Sequence, residues 1–184
     1  ALRLLNTSGQ PVLASLRNRA LRERIHRASL ARGSRGGEFD NRDLIIKVEG
    51  SYHGHHDLVN VSLWRSLGDL GPVDDPRREA GPGIPQTFAD LVRIVPFNDL
   101  TAVERVFADH PGRIAGMIIE PMMMNAGITP PHAGYLEGLR DLVHRNGALL
   151  TFDEVKTGLV VAWGGATELF GVTPDIICLA KALG

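Results

Sequence analysis

Asp153 and Lys181 are the two residues whose types and surroundings predict catalytic chemistry. Asp153 and Glu154 follow the apolar run at 147–152, which is typical of a buried strand with both acids at its C-terminal, ligand-binding end. Lys181 lies 28 positions later, directly after a second, largely apolar run at 175–180. Because ligands of open α/β sheets bind at the carboxyl ends of the strands, we expect Asp153 and Lys181 to face one crevice.

This pair of side chains suits a cofactor that carries an aldehyde. Pyridoxal phosphate needs a lysine amine to form an imine with its aldehyde, and an anion that keeps its ring nitrogen protonated. The protonated ring then acts as an electron sink. When a substrate amine has displaced the lysine, the freed amine can move a proton between the substrate carbon and the cofactor. The residues therefore predict Lys181 as nucleophile and base in turn.

The rest of the chain predicts an α/β fold with a mostly parallel sheet flanked by helices. Strand patterns cover 44–48, 92–96, 114–119, 147–154 and 175–180. Asp99 is placed to cap a helix that runs to about Ala108. Apolar spacing predicts another helix over His132–Arg145, ended by Asn146 and Gly147. The order of strand, loop, helix and strand implies right-handed crossovers, and the long stretch 66–88 is predicted to be a connection.

Composition favours a single domain with a sizeable core and excludes several function classes. The 184 residues are 43% hydrophobic and carry a formal net charge of −1, so no overall field favours nucleic acid or an anionic membrane. The one cysteine, Cys178, forms no intrachain disulfide, which favours a reducing, cytoplasmic compartment. No apolar run reaches 18 residues, so we expect no membrane span.

A basic segment near the N-terminus has two interpretations. Residues 17–35 contain seven arginines against one acid, Glu23. Nucleic-acid binding is the more specific interpretation. Because no aromatic residues are interleaved, we favour a solvated helix face.

A histidine cluster offers a competing enzyme hypothesis, a metal-dependent hydrolase. His53, His55, His56 and Asp57 lie within five residues and resemble a metal site. Adjacent histidines cannot easily aim at one ion, and the remaining histidines form no second ligand pair. We therefore predict no metal and favour packing or cofactor contacts, in which Tyr52 and His53 offer flat rings on which a pyridine can stack.

Several stretches match one enzyme family in combination. They are Lys47–Asp57, Pro96–Asp99, Glu120–Pro121 with Asn125, Pro130–Pro131, Gly134–Leu136, Phe152–Val155, Thr157–Gly158, Gly164–Ala166 and Phe170–Asp175, followed by Lys181. Through these stretches residues 41–184 resemble the class III, fold-type I pyridoxal phosphate aminotransferases, and among them the glutamate-1-semialdehyde 2,1-aminomutases most closely.

The resemblance implies a role for each candidate residue. Lys181 would form the internal aldimine, Asp153 would pair with the pyridine nitrogen, and Tyr52 and Val155 would sandwich the ring. The full set of expected cofactor-binding residues is Tyr52, His53, Glu120, Asn125, Asp153, Val155 and Lys181.

The resemblance also implies an activity, a division of the chain and a partner. The expected reaction is amino transfer, or amino exchange within one molecule, on an amino acid or semialdehyde, in a homodimer. Residues 43–184 would be part of the large cofactor-binding domain, and 1–42 an atypical arginine-rich segment, disordered or aberrant. The chain has no initiator methionine and stops just after Lys181, so we interpret it as an internal fragment, inactive alone. A non-catalytic remnant that serves as a subunit contact is the alternative.

Three positions depart from the family pattern. After Asn6, where the family has a phosphate-binding turn, the chain reads Thr7 to Pro11 and lacks the acid. Lys156 replaces an uncharged residue that is common after the Asp-Glu-Val motif. The pair at 159–160 stands where an aromatic residue and an arginine are frequent, so the substrate stays open.

Overall fold

The computed structural model describes residues 3–5, 11–13, 42–54, 59–63, 71–72, 76, 78 and 80–183. The predicted basic helix face, the turn after Asn6 and three members of the histidine cluster, at 55–57, lie outside these residues. The division of the chain at residue 42 stays a prediction.

From residue 44 onward, the described strands and helices alternate, as expected. The strands are β1 Arg3–Leu5, β2 Pro11–Leu13, β3 Leu44–Val48, β4 Val92–Val95, β5 Ile114–Ile119, β6 Leu149–Asp153 and β7 Ile176–Cys178. The helices are α1 Gln86–Ala89, α2 Leu100–Asp109, α3 Tyr135–Arg145 and α4 Gly165–Phe170, with a 3₁₀ turn at Lys181–Leu183.

Five of these strands form one sheet in the order β4-β3-β5-β6-β7. Each neighbouring pair is parallel, which confirms the predicted α/β architecture. β1 and β2 pair separately and antiparallel. Because all five strands run the same way, their carboxyl ends lie along a single edge of the sheet, and the loops that follow β3, β5, β6 and β7 leave from that edge.

Helices α2 and α3 cover one face of the sheet and close the main core. Val103 and Phe107 of α2 and Leu139 of α3 pack with strand residues such as Met117 and Phe152, all buried. The spacing of these apolar residues explains why both segments form helices, because a helix here buries one continuous apolar stripe.

The ends of the helices test the capping predictions. Asp99 caps α2 as predicted, since its carboxylate accepts the backbone N–H of Ala102 at 2.9 Å. The predicted start of α3 at His132 was wrong. That helix begins at Tyr135, because Gly134 takes a left-handed φ of 80° that a helix cannot continue through.

The remaining differences concern short elements. The short helix α1 lies at the end of the stretch that was predicted to be connection only, and β7 ends at Cys178 rather than reaching residue 180. Within the described residues, no helix is long and apolar enough to cross a membrane.

Strand β3 contains a lysine that is wholly buried. The Lys47 ammonium donates to the carbonyl oxygens of Ser51 at 2.9 Å and Val61 at 2.7 Å. Burial lowers the pKa of Lys47 to about 7, although the nearby carboxylates of Glu49 and Glu120 oppose the shift. This cation ties the loop after β3 to the segment at 61, and so sets where that loop leaves the sheet.

The lowered pKa of Lys47 makes stability depend on pH in a predictable direction. Between about pH 7 and 10.5 the unfolded lysine holds a proton that the native one releases, so the free energy of unfolding rises with pH by at most about 1.4 kcal/mol per unit. Lys47→Met should remove this part of the slope, as measured by urea unfolding at several pH values. Equal slopes in the variant and the unaltered protein would contradict the assignment.

Candidate active site

A cavity of about 200 Å³ opens at the carboxyl ends of the parallel strands. All seven residues that were expected to bind a cofactor line it, and Gly54, Lys156 and Ala180 line it as well. The loops that follow β3, β5, β6 and β7 each contribute to this wall. The structure thus brings Asp153 and Lys181 to one crevice, as their positions at strand ends had indicated.

The Asp153 carboxylate is buried at the end of β6 and held from two sides. Its Oδ2 lies 2.7 Å from Nδ1 of His53, and its Oδ1 accepts the backbone N–H of Val155 at 3.1 Å. In the tautomer that satisfies this contact, His53 donates from Nδ1. The two hydrogen bonds fix the plane of the carboxylate and leave further lone pairs for a ligand.

The His53 ring has a second nitrogen, Nε2, that takes no part in the contact with Asp153. Its side chain is fully buried, and its Nε2 has no hydrogen-bond partner in the described part of the chain. A buried polar atom without a partner is uncommon and marks a place where a ligand or water belongs. No group of metal-ligating side chains occurs among the described residues, while His55, His56 and Asp57 lie outside them.

Glu120 organises the opposite part of the wall. Its buried carboxylate accepts the backbone N–H groups of Tyr52 at 3.2 Å and Met124 at 3.0 Å, and the side-chain amide of Asn125 at 2.9 Å. These bonds connect the loops after β3 and β5. Glu120 therefore orients its neighbours around the cavity, and its oxygens are already engaged by protein donors.

Lys181 begins the 3₁₀ turn that follows β7 and is exposed at the cavity. Its backbone φ is +51°, a left-handed conformation that is uncommon for a residue with a side chain. Within the described residues its ammonium makes no hydrogen bond or ion pair. Strained backbone of this kind concentrates at functional sites, which supports a functional role for Lys181.

The sequence predicts that Glu154, the acid next to Asp153, also faces the ligand-binding edge. The structure shows that it does not line the cavity. Successive side chains of an extended segment point to opposite sides, so Glu154 turns away where Asp153 turns in. Its buried carboxylate accepts the backbone N–H groups of Ala166 and Thr167 and the hydroxyl of Thr157. Glu154 thereby provides acceptors for the backbone N–H groups at the start of α4. It also holds in place the segment that follows Asp153.

Gly165 permits this contact, and its replacement tests it. A Cβ at Gly165 would collide with the Glu154 carboxylate, whereas Gly171 has a similar φ, +67° against +70°, and open space. Gly165→Ala should therefore lower the free energy of unfolding by about 2 kcal/mol more than Gly171→Ala, because only the former displaces a buried carboxylate from its donors. Urea unfolding measures both, and equal losses would refute the role given to Glu154.

The model of the family described as Aminotransferase class-III matches residues 25–184. The chain belongs to the class-III aminotransferases. This family uses pyridoxal phosphate, and the side chains of the cavity fit that group. They offer in one pocket a buried anion and a lysine that no other described residue pairs with.

Solved structures of class-III aminotransferases share the fold. An omega-transaminase from Sphaerobacter thermophilus is 30% identical with a TM-score of 0.74, over 97% of this chain and 37% of its own. A transaminase with PLP bound is 27% identical with a TM-score of 0.70, over 88% and 34%. A glutamate-1-semialdehyde-aminomutase from Pseudomonas aeruginosa PAO1 is 29% identical with a TM-score of 0.66, over 87% and 32%. The chain therefore spans about a third of the length of these relatives.

Proposed function

We propose that this chain is part of a pyridoxal phosphate enzyme that transfers amino groups, in which Lys181 binds the carbonyl carbon of the cofactor and Asp153 binds its ring nitrogen. The observation that carries the proposal is that a buried, oriented carboxylate lines the same cavity as a lysine that has no partner among the described residues. Bound pyridoxal phosphate supplies an electron-withdrawing ring, which allows an amino group to move between carbon atoms.

Asp153 has the task of holding a proton on the ring nitrogen. A carboxylate stabilises a cation within hydrogen-bond reach most strongly where water is excluded, and Asp153 is only 8% exposed. The N–H groups of His53 and Val155 keep its two oxygens in place. Because these donors are fixed before a ligand arrives, the site needs no reorganisation to receive the charge.

Lys181 has two tasks at the other end of the ligand. Its Nζ would hold the cofactor at the carbonyl carbon, whose oxygen would leave as water. Once a substrate amine had taken its place there, the same Nζ would accept and return a proton at the carbon that bears the substrate nitrogen. Within the described ranges this amine forms no salt bridge that would compete with either task. It lies on the turn after β7, at the cavity rather than in the core.

In this proposal Tyr52 and Val155 hold the flat faces of the ring, and Asn125 its edge. All three are partly buried and line the cavity. Tyr52 and Asn125 are tied to Glu120, and Val155 to Asp153. Apolar and aromatic walls with a few fixed polar groups are the usual composition of a cofactor pocket.

The substrate and assembly follow from the relatives as part of the same proposal. The neighbours named above are transaminases and an aminomutase, so we infer an amino acid or amino semialdehyde as substrate. We further infer a cytoplasmic homodimer, as the resemblance to the family implies. Because this chain covers only about a third of each relative, we infer that the rest of the protein completes the site.

Covalent capture of the cofactor tests the proposal. Pyridoxal phosphate added to the protein and then reduced with borohydride should leave its mass on the peptide that contains Lys181. Lys181→Ala should abolish this label, and pyridoxine phosphate, which lacks the aldehyde, should give none. Mass spectrometry of a proteolytic digest measures the label.

The contrary outcome has a defined meaning. If a well-folded sample of the complete gene product carries no label, or if the label lies on another lysine, the proposal is wrong. The chain would then be a non-catalytic remnant that serves as a subunit contact.

A further inference from the structure

Lys156 is a second cation at the cavity that the proposed mechanism does not use. It lies three positions after Asp153, is partly buried, and lines the same pocket as Lys181. Its ammonium makes one long hydrogen bond, to the carbonyl oxygen of Met124 at 3.3 Å. It forms no ion pair in the described ranges.

The carboxylates of the cavity wall have other partners. Glu120 accepts three N–H groups, and Asp153 is held by His53 and Val155. Among the described residues, no carboxylate of the cavity wall therefore pairs with Lys156 to neutralise its charge. A partly desolvated ammonium in this state favours a ligand that brings a negative oxygen, because a charge-assisted hydrogen bond replaces the water it has lost.

We propose that Lys156 is a ligand-binding residue that holds an anionic oxygen beside the reacting carbon. This inference rests on the proposed function. Two sources carry such an oxygen: the carboxylate of an amino-acid substrate and the ring oxygen of the cofactor. The long bond to Met124 is a resting contact that the ammonium exchanges for the stronger one.

The two sources are separated by two measurements on the complete gene product loaded with pyridoxal phosphate, with Lys156→Met and Lys156→Arg compared. The first is binding of alanine, β-alanine and ethylamine, followed by the change in cofactor absorbance. Both amino acids become ethylamine when the carboxylate is removed, so the set isolates that group. The second is a pH titration of the same absorbance without substrate.

Each source predicts its own result. If Lys156 holds the substrate carboxylate, Lys156→Met weakens binding of alanine or β-alanine about 10- to 100-fold and leaves ethylamine unchanged. If it holds the ring oxygen, Lys156→Met raises the midpoint of the absorbance titration by about one pH unit or more. In either case Lys156→Arg, which keeps the charge, retains most of the original behaviour.

The inference fails if Lys156→Met changes neither measurement, since Lys156 would then only tether the loop at Met124. That result is distinct from failure of the proposed function, because the cofactor would still be attached to Lys181 after reduction. Absence of attachment in the unaltered protein would contradict both.

Discussion

The site depends on one contact, the hydrogen bond between the His53 ring and the Asp153 carboxylate, 2.7 Å long and buried. His53 follows β3 and Asp153 ends β6, and these two strands are not neighbours, because β5 lies between them in the sheet. The contact therefore reaches across the carboxyl end of a whole strand. It exists only because the strands are parallel and end at one edge, and it orients the anion on which the proposed chemistry depends.

The polar groups around this contact divide into those that the protein uses and those that it leaves for a ligand. The Glu154 carboxylate accepts hydrogen bonds from Thr157 and from the start of α4, and the Glu120 carboxylate accepts three N–H groups of the cavity wall. The Lys47 ammonium donates to two carbonyl oxygens, one of which belongs to the loop that bears His53. Among the described residues, Nε2 of His53 and the Lys181 ammonium have no partner, and the Lys156 ammonium has only its long bond to Met124. All three groups belong to residues that line the cavity. The cavity is therefore lined by a buried carboxylate, that of Asp153, and by two lysines.

Much of this arrangement could be predicted from the sequence, because its signals are local. Apolar runs that end in Asp153 and before Lys181 identified two strands, and the rule that parallel strands present ligands at their carboxyl ends placed the two residues together. Helix α2 begins directly after Asp99, as predicted from the capping side chain of that residue. What failed depends on contacts distant in sequence. That Glu154 caps α4 rather than facing the cavity follows from the position of residues 166–167, and no spacing near Glu154 reveals it. The burial of Lys47 could not be predicted from the sequence either, since a lysine in a strand pattern is usually exposed.

The central claim is that Asp153 keeps a proton on the ring nitrogen of the cofactor, and ¹⁵N NMR tests it directly. Pyridoxal phosphate labelled with ¹⁵N in the ring, bound to the complete gene product, reports by its chemical shift whether that nitrogen is protonated. We expect the protonated value at neutral pH, and a move to the unprotonated value in Asp153→Asn, whose amide carries no charge. An unprotonated nitrogen in the unaltered protein, or the same shift in both proteins, would contradict the account.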